Sequence, residues 1–354
     1  MERKTYCDYL RVIATFAVVL LHVSASNWYS TDVNGLQWQA FNFYDSVVRW
    51  GVPVFLMISG ALFLNREVPL KKIYGKYILR MVIAFYVWSL FYVIMTVETL
   101  ENGIIYGIKT HMRALALGHY HMWFIIMIIG IYMCIPFYKR IVTDDFIMKY
   151  FLILSFIFFF MIPWTIKLLN DYVVGNNEQM AKLVGVVNSY VSNKNMQMVL
   201  GYSFYFVLGY FLDMIELKKK QRVIVYILGA IGFAFTVGVD LNLALKTQQP
   251  CGNYYGNFDV NIMLEAVCVH TLFKYREYKS EKFNSLIYMI SGYTFGAYLI
   301  HVFFIEKFSS VLSFNALSFN PVVSVPVVSC AVLVCALLVS GILNHIPIIK
   351  KYCV

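Results

Sequence analysis

Long apolar stretches, separated by short polar and often basic segments, run along this chain from residue 9 to residue 349. A helix needs about 20 mainly apolar residues to cross the hydrocarbon core of a bilayer. Ten segments approach that scale: roughly 9–26, 42–64, 76–97, 121–138, 147–168, 198–214, 222–243, 258–275, 284–306 and 321–346. In lipid the backbone polar groups must be satisfied within the segment, so these stretches are predicted to be helices and not strands. The pattern predicts an all-α integral membrane protein, a bundle of about ten transmembrane helices. No long polar interruption divides it, which predicts one transmembrane domain over residues 1–354 and no separate soluble domain. No internal repeat is visible.

Charge orients the bundle. Cytoplasmic loops of membrane proteins carry an excess of Lys and Arg. With a cytoplasmic amino terminus, the inner segments collect Arg3, Lys4 and Arg11, then Arg66, Lys71, Lys72, Lys76 and Arg80, and so on through Lys350 and Lys351. The outer loops hold only Lys109, Arg113, Lys182, Lys194, Lys246 and Lys307. Both termini are therefore expected in the cytoplasm. Two outer segments are longer. In 98–120, Ile104, Ile105, Ile108 and Met112 recur at helical spacing, as in a short amphipathic helix lying at the interface. Residues 169–197 are more polar, and either cap a site from outside or form an ordinary loop.

Composition agrees with this picture. The chain is 60% hydrophobic and 14% charged, against roughly 25% charged in soluble domains, and its mean hydropathy is +0.67. The net charge of +10 follows from topology, and nucleic acid is not an expected partner. The amino terminus imitates a signal peptide, but Arg11 inside the apolar run and the many later spans predict a first helix that stays attached. The seven cysteines form no CxxC pair, so neither a disulfide framework nor a metal site is predicted.

Ionisable residues within membrane helices are expensive and point to function. Arg11 and His22 lie eleven residues apart, which is about 20° past three full turns and ~16 Å of rise. They share one face of the first helix, Arg11 near the cytoplasmic edge and His22 toward the outer leaflet. Alone, Arg11 could be a snorkelling anchor and His22 a histidine satisfied by a neighbouring helix. Other helices bring chemistry to the level of His22: Arg49 in the second, His119, His121 and Trp123 at the start of the fourth, Asp259 and Glu265 in the eighth, and Tyr298, His301 and Glu306 in the ninth. Blander readings exist for several of these, with Trp123 and His119 as interfacial belt residues and Arg49 paired to Glu265. On the inner side Arg11, Lys76 and Arg80, with Lys71 and Lys72, surround the cytoplasmic mouth. Arg11 and Arg80 lie deeper there than topology requires, and suit an anionic ligand.

Four motifs now show a resemblance. Arg11-x10-His22, Phe55-Leu56-Met57-Ile58-Ser59-Gly60, His121-Met122-Trp123-Phe124 and Gly296-Ala297-Tyr298-Leu299-Ile300-His301 resemble, in order and across nearly the whole chain, the membrane acyltransferase-3 family. The resemblance is strongest to its surface polysaccharide O-acetyltransferases, including those acting on enterobacterial common antigen. It implies transfer of an acyl group, usually acetyl, from cytoplasmic acyl-coenzyme A to a hydroxyl of an extracytoplasmic glycan or lipid-linked sugar. It implies His22 as the catalytic residue with Arg11 as its companion, and associates the Phe55, Ser59 and Gly60 element with helix packing and the acyl-donor channel. Two departures stand out. Ala61 follows Ser-Gly where many members have an aromatic residue. No hydrolase-like domain follows the tenth helix before Val354, so this domain is expected to complete the transfer itself.

The implied chemistry suits the residues. An imidazole with an ordinary pKa near 6.5 can take a proton from a poorly nucleophilic sugar hydroxyl at neutral pH. Coenzyme A phosphates are expected at the inner mouth (Arg11, Lys76, Arg80, with Ser59 and Gly60 along the donor channel). One continuous passage would lead from there to His22. Arg49, His121, Trp123, Glu265, Tyr298 and His301 are expected to bind acceptor, orient His22 or stabilise the oxyanion. Acyl-coenzyme A is the expected co-substrate, with no metal, in a bacterial plasma membrane. A homo-oligomer is compatible with the sequence. The alternatives are a transporter or flippase using the outer cluster as its substrate site, and a structural partner in a glycan-assembly complex.

Overall fold

The structure, a computed structural model, describes residues 3–96, 101–174 and 197–354, and among them no strand occurs. The helices in chain order are α1 Thr5–Ala25, α2 Leu36–Ser46, α3 Gly51–Phe63, α4 Leu70–Ile94, α5 Ile104–Thr110, α6 Met112–Leu117, α7 Trp123–Met133, α8 Ile135–Val142, α9 Asp145–Val173, α10 Gln197–Met214, α11 Lys219–Thr247, α12 Val260–Lys274, α13 Glu281–Leu312, α14 Pro321–Asn344 and α15 Pro347–Tyr352. Eight described segments are long and apolar enough to cross a membrane: α1, Leu36–Phe63, α4, Met112–Met133, α9, α11, α13 and α14. Each falls on an expected span. Helices α10 and α12 occupy the two remaining positions with 18 and 15 residues. At ~22 Å, α12 is shorter than a hydrocarbon core of ~30 Å.

The chain is an all-α membrane protein, and its surface agrees. On α14, Val334, Leu338 and Ile342 are more than half exposed and recur every four residues. Lipid accepts such a stripe, whereas water would penalise it. The expected second span begins earlier than its hydropathy suggested, at Leu36, and is broken at 47–50 into α2 and α3. Trp50 accounts for part of the break, because its indole N–H donates to the Val47 carbonyl at 2.7 Å. In the segment 98–120, Ile104, Ile105 and Met112 stand exposed on α5 and α6, as an interfacial helix would place them. Of the segment 169–197, residues 175–196 lie outside the described residues, and with them the expected cap.

The chain divides into two compact units. The first comprises residues 1–31, 67–136 and 278–354. Within it α1 packs on α13 and α14, α13 packs on α14, and α5, α6 and α15 pack on α4. Gly296 lets α13 approach α14 closely, since a methyl there would run into the Ser340 hydroxyl. The second unit comprises residues 32–66 and 137–277, with α3 packed on α10 and α11 on α12. At the α3–α10 crossing two glycines face backbone directly. A Cβ on Gly60 would strike the Phe206 carbonyl, and one on Gly209 would strike the backbone of Met57. Small residues at such a crossing allow the dispersion contact that holds helices together in lipid.

Candidate active site

The imidazole cluster lies within the first unit. The His22 ring centroid is 5.2 Å from that of His301, 6.5 Å from His121 and 5.6 Å from Tyr120. His121 and His301 are themselves 5.2 Å apart, nearly perpendicular. Both are fully buried, whereas His22 is half-buried.

Their hydrogen bonds assign the protons. His301 Nδ1 lies 2.6 Å from the Tyr298 carbonyl, one helical turn earlier. A carbonyl can only accept, so Nδ1 carries a hydrogen, and in the neutral ring Nε2 carries the lone pair. That Nε2 is buried and has no partner among the described residues. His121 Nε2 lies 3.3 Å from the Leu299 carbonyl and therefore donates to it. In neutral His121 the other nitrogen, Nδ1, then accepts from His119 Nδ1–H at 3.1 Å. His119 Nε2 faces Glu306 Oε1 at 3.4 Å. A chain of hydrogen bonds thus runs from His119 through His121 to the backbone of α13, with Glu306 beside its outer end.

Tyrosines clamp the cluster. The Tyr298 hydroxyl donates to the His121 carbonyl at 2.6 Å, and that of Tyr92 donates to the Leu299 carbonyl at 2.8 Å. The Tyr92 ring also stacks on His119, with centroids 4.3 Å apart. Trp123 is partly exposed beside Phe124, whose ring meets Tyr298.

At the other end of α1 the same two helices meet again. Arg11 donates to Ser291 Oγ at 2.9 Å and pairs with Asp8 at 3.5 Å. The Ser291 hydroxyl donates to Asp8 at 2.8 Å, and Arg3 adds a second guanidinium to that carboxylate at 2.7 Å. From Ser291 to His301 is ten residues, or ~15 Å along α13. From Arg11 to His22 is eleven, or ~16 Å along α1. The two helices are therefore matched at two levels, a guanidinium level and an imidazole level. On α4, Lys76 is exposed with Lys71 and Lys72, while Arg80 donates to the Val354 carbonyl.

Four predicted residues belong to the second unit. Arg49 pairs with Asp45 at 2.6 Å and lies over the Tyr255 ring at 4.2 Å. Glu265 Oε1 accepts from the Thr236 hydroxyl at 2.6 Å. The alternative pairing of Arg49 with Glu265 is thus replaced by a partner one turn away on the same stretch of chain, where the i,i+4 geometry needs no other helix. Gly60 serves the α3–α10 crossing, and Ser59 precedes it, half-buried.

The acyltransferase-domain family model matches residues 4–342. The chain belongs to the acyltransferase-3 family. It is a multi-pass membrane acyltransferase, and the matched region includes every residue of the imidazole cluster. No curated protein and no solved structure gives a significant match. Sequence reasoning missed several parts of this acyltransferase's cluster. Asp8 was signalled by its i,i+3 spacing from Arg11, whereas Tyr92 was one of 27 tyrosines with nothing to distinguish it. Because the Tyr298 hydroxyl is buried and bonded, Tyr298→Phe should cost about 1 kcal/mol. A lowered thermal midpoint in detergent, with acyl transfer reduced only a few-fold, would report that loss.

Proposed function

We propose that this membrane acyltransferase moves an acetyl group from cytoplasmic acetyl-coenzyme A to a hydroxyl of an extracytoplasmic glycan or lipid-linked sugar, with His22 as general base. The observation that carries the reading is the two-level match of α1 and α13, with Arg11 and Ser291 at one level and His22 and His301 at the other. The basic segments around Arg11 and Lys76 make the first level the cytoplasmic one, and the natural setting is a bacterial plasma membrane with both termini inside.

In this mechanism His22 takes the proton of the acceptor hydroxyl as its oxygen attacks the thioester carbonyl. The tetrahedral intermediate then collapses, breaking the carbon–sulfur bond. The imidazolium returns the proton to the departing thiolate, leaving an ester and free coenzyme A. The assigned tautomer of His301 supports a positioning role. Its Nε2 lone pair can accept the N–H of His22 and so select which His22 nitrogen faces the acceptor, the task a carboxylate performs in a hydrolase triad. His121, with both nitrogens engaged, supports the cluster's shape. Arg11 is held by Asp8 and Ser291, so its part is to fix the inner level, with any phosphate contact made by its remaining N–H groups. Lys71, Lys72 and Lys76 are open to solvent and suit the coenzyme A phosphates better than Arg80, which is engaged with Val354. Acceptor roles for Arg49, Trp123 and Glu265, and donor-channel roles for Ser59 and Gly60, carry less support from these contacts.

The direct test is incubation of the detergent-solubilised protein with radiolabelled acetyl-coenzyme A and a glycolipid extract. Label in the extract with stoichiometric free thiol supports the reading. A transporter or flippase would need a sealed bilayer and would leave coenzyme A intact. Replacing Lys71, Lys72 and Lys76 together by Gln should raise the KM for acetyl-coenzyme A about tenfold with kcat unchanged. That difference should shrink in high salt, since exposed charges are screened over about 10 Å at 0.1 M. Initial rates at two ionic strengths measure both effects.

A further inference from the structure

A cavity of about 580 Å³ opens at the C-terminal ends of α1 and α4 and beside the last turns of α13, within the range of about 300–1,000 Å³ usual for small-molecule sites. Its position follows from helix geometry. Ser26, which lines it, is four residues beyond His22, and Ile305, also in the lining, is four beyond His301. Residues four apart share a helix face at ~6 Å of rise. The cavity therefore sits one turn beyond the imidazole pair on both helices. Glu306 joins the two sites, because it lines the cavity and also pairs with His119 at 3.4 Å.

Resting on the acyl-transfer reading, we infer that this cavity binds the acceptor, and that the acceptor group it takes is a neutral sugar ring presented with one hydroxyl toward His22. The lining carries the chemistry. Hydroxyl and amide groups come from Ser26, Ser310 and Asn315, and one carboxylate and one ammonium come from Glu306 and Lys307. One charge of each sign leaves the lining with no net charge to favour an anionic or cationic ligand, while both groups can hydrogen-bond a polyol. Phe314 offers an apolar wall for the C–H face of a pyranose. A purely apolar chain leaves the polar lining unsatisfied.

The test uses the purified full chain with methyl glycosides of glucose, galactose, mannose and N-acetylglucosamine as probes. Ser310→Trp and, separately, Asn315→Trp introduce bulk into the cavity lining at positions outside the imidazole cluster. Two properties are measured: glycoside binding by saturation-transfer NMR, and acetyl transfer from labelled acetyl-coenzyme A. Calorimetric binding of acetyl-coenzyme A serves as the check on folding. The expected result is binding of at least one glycoside by the unaltered chain. Either tryptophan should raise the glycoside KM tenfold or more, with acetyl-coenzyme A affinity unchanged within twofold. Unchanged glycoside KM in both filled variants overturns the cavity assignment and leaves the acyl-transfer reading standing. Glycoside binding lost on filling, but with no acetyl transfer by any form, overturns the acyl-transfer reading and leaves the cavity as a sugar site. Absence of both binding and transfer in the unaltered chain overturns both.

Discussion

His22→Ala is expected to lower acetyl transfer by a factor on the order of 10³, within the range general bases contribute, while the protein remains folded. The neighbouring imidazoles cannot take over fully. His121 donates through Nε2 to Leu299 and uses Nδ1 against His119, so it has no nitrogen left for an acceptor hydroxyl. His301 keeps a lone pair on Nε2, but its ring is anchored through Nδ1 to Tyr298 and lies on another helix. His301→Ala should consequently be milder than His22→Ala, a loss of about 10- to 100-fold, because it removes orientation and leaves the base in place. Combining the two should cost little more than His22→Ala alone, as residues acting as a unit are non-additive. The measurement is single-turnover transfer of label, with thermal midpoints recorded for each variant. A His22→Ala protein retaining more than a tenth of the original rate would remove His22 as the base.

The largest effect on stability should come from Gly60→Val. At the α3–α10 crossing the position faces the Phe206 carbonyl, part of a helix backbone that cannot rotate aside as a side chain can. Inserting volume into a packed interior costs about 1–3 kcal/mol even where side chains can yield. Here the helices must separate and lose their contact, so at least about 3 kcal/mol is expected. Folded, monodisperse protein after detergent extraction should fall sharply, whereas Gly75→Val, at a glycine with open space around it, should be tolerated there. Wild-type yield and thermal midpoint for Gly60→Val would show that the two helices do not depend on this contact.

Particular residues show how far the chain could be read before its structure was known. The spans were legible because hydropathy is a local sum, and the same holds for the shared face of Arg11 and His22, which is fixed by the helical repeat alone. The exposed apolar positions of the interfacial helices were legible at the level of Ile104, Ile105 and Met112 for the same reason. The site was legible only in part. Sequence depth placed His22, His121, His301, Arg49 and Glu265 at one level, but depth carries no information about rotation or neighbours. The first three meet in one cluster, whereas Arg49 takes Asp45 and Glu265 takes Thr236 in the other unit. The tautomers of His301 and His121 depend on the carbonyls of Tyr298 and Leu299, which no pattern of side chains announces.

Taken alone, the order of residues determined a lipid-embedded all-helical protein, its candidate spans and the rotational phase of Arg11 with His22. Each of these is a property of neighbours along one helix, summed over about twenty residues. Which imidazoles touch, which lone pair stays open, and where a cavity lies beside them were decided only by tertiary packing. Those features arise between segments as distant as His22 and His301, and helix rotation there is set by glycine crossings and buried tyrosine hydrogen bonds.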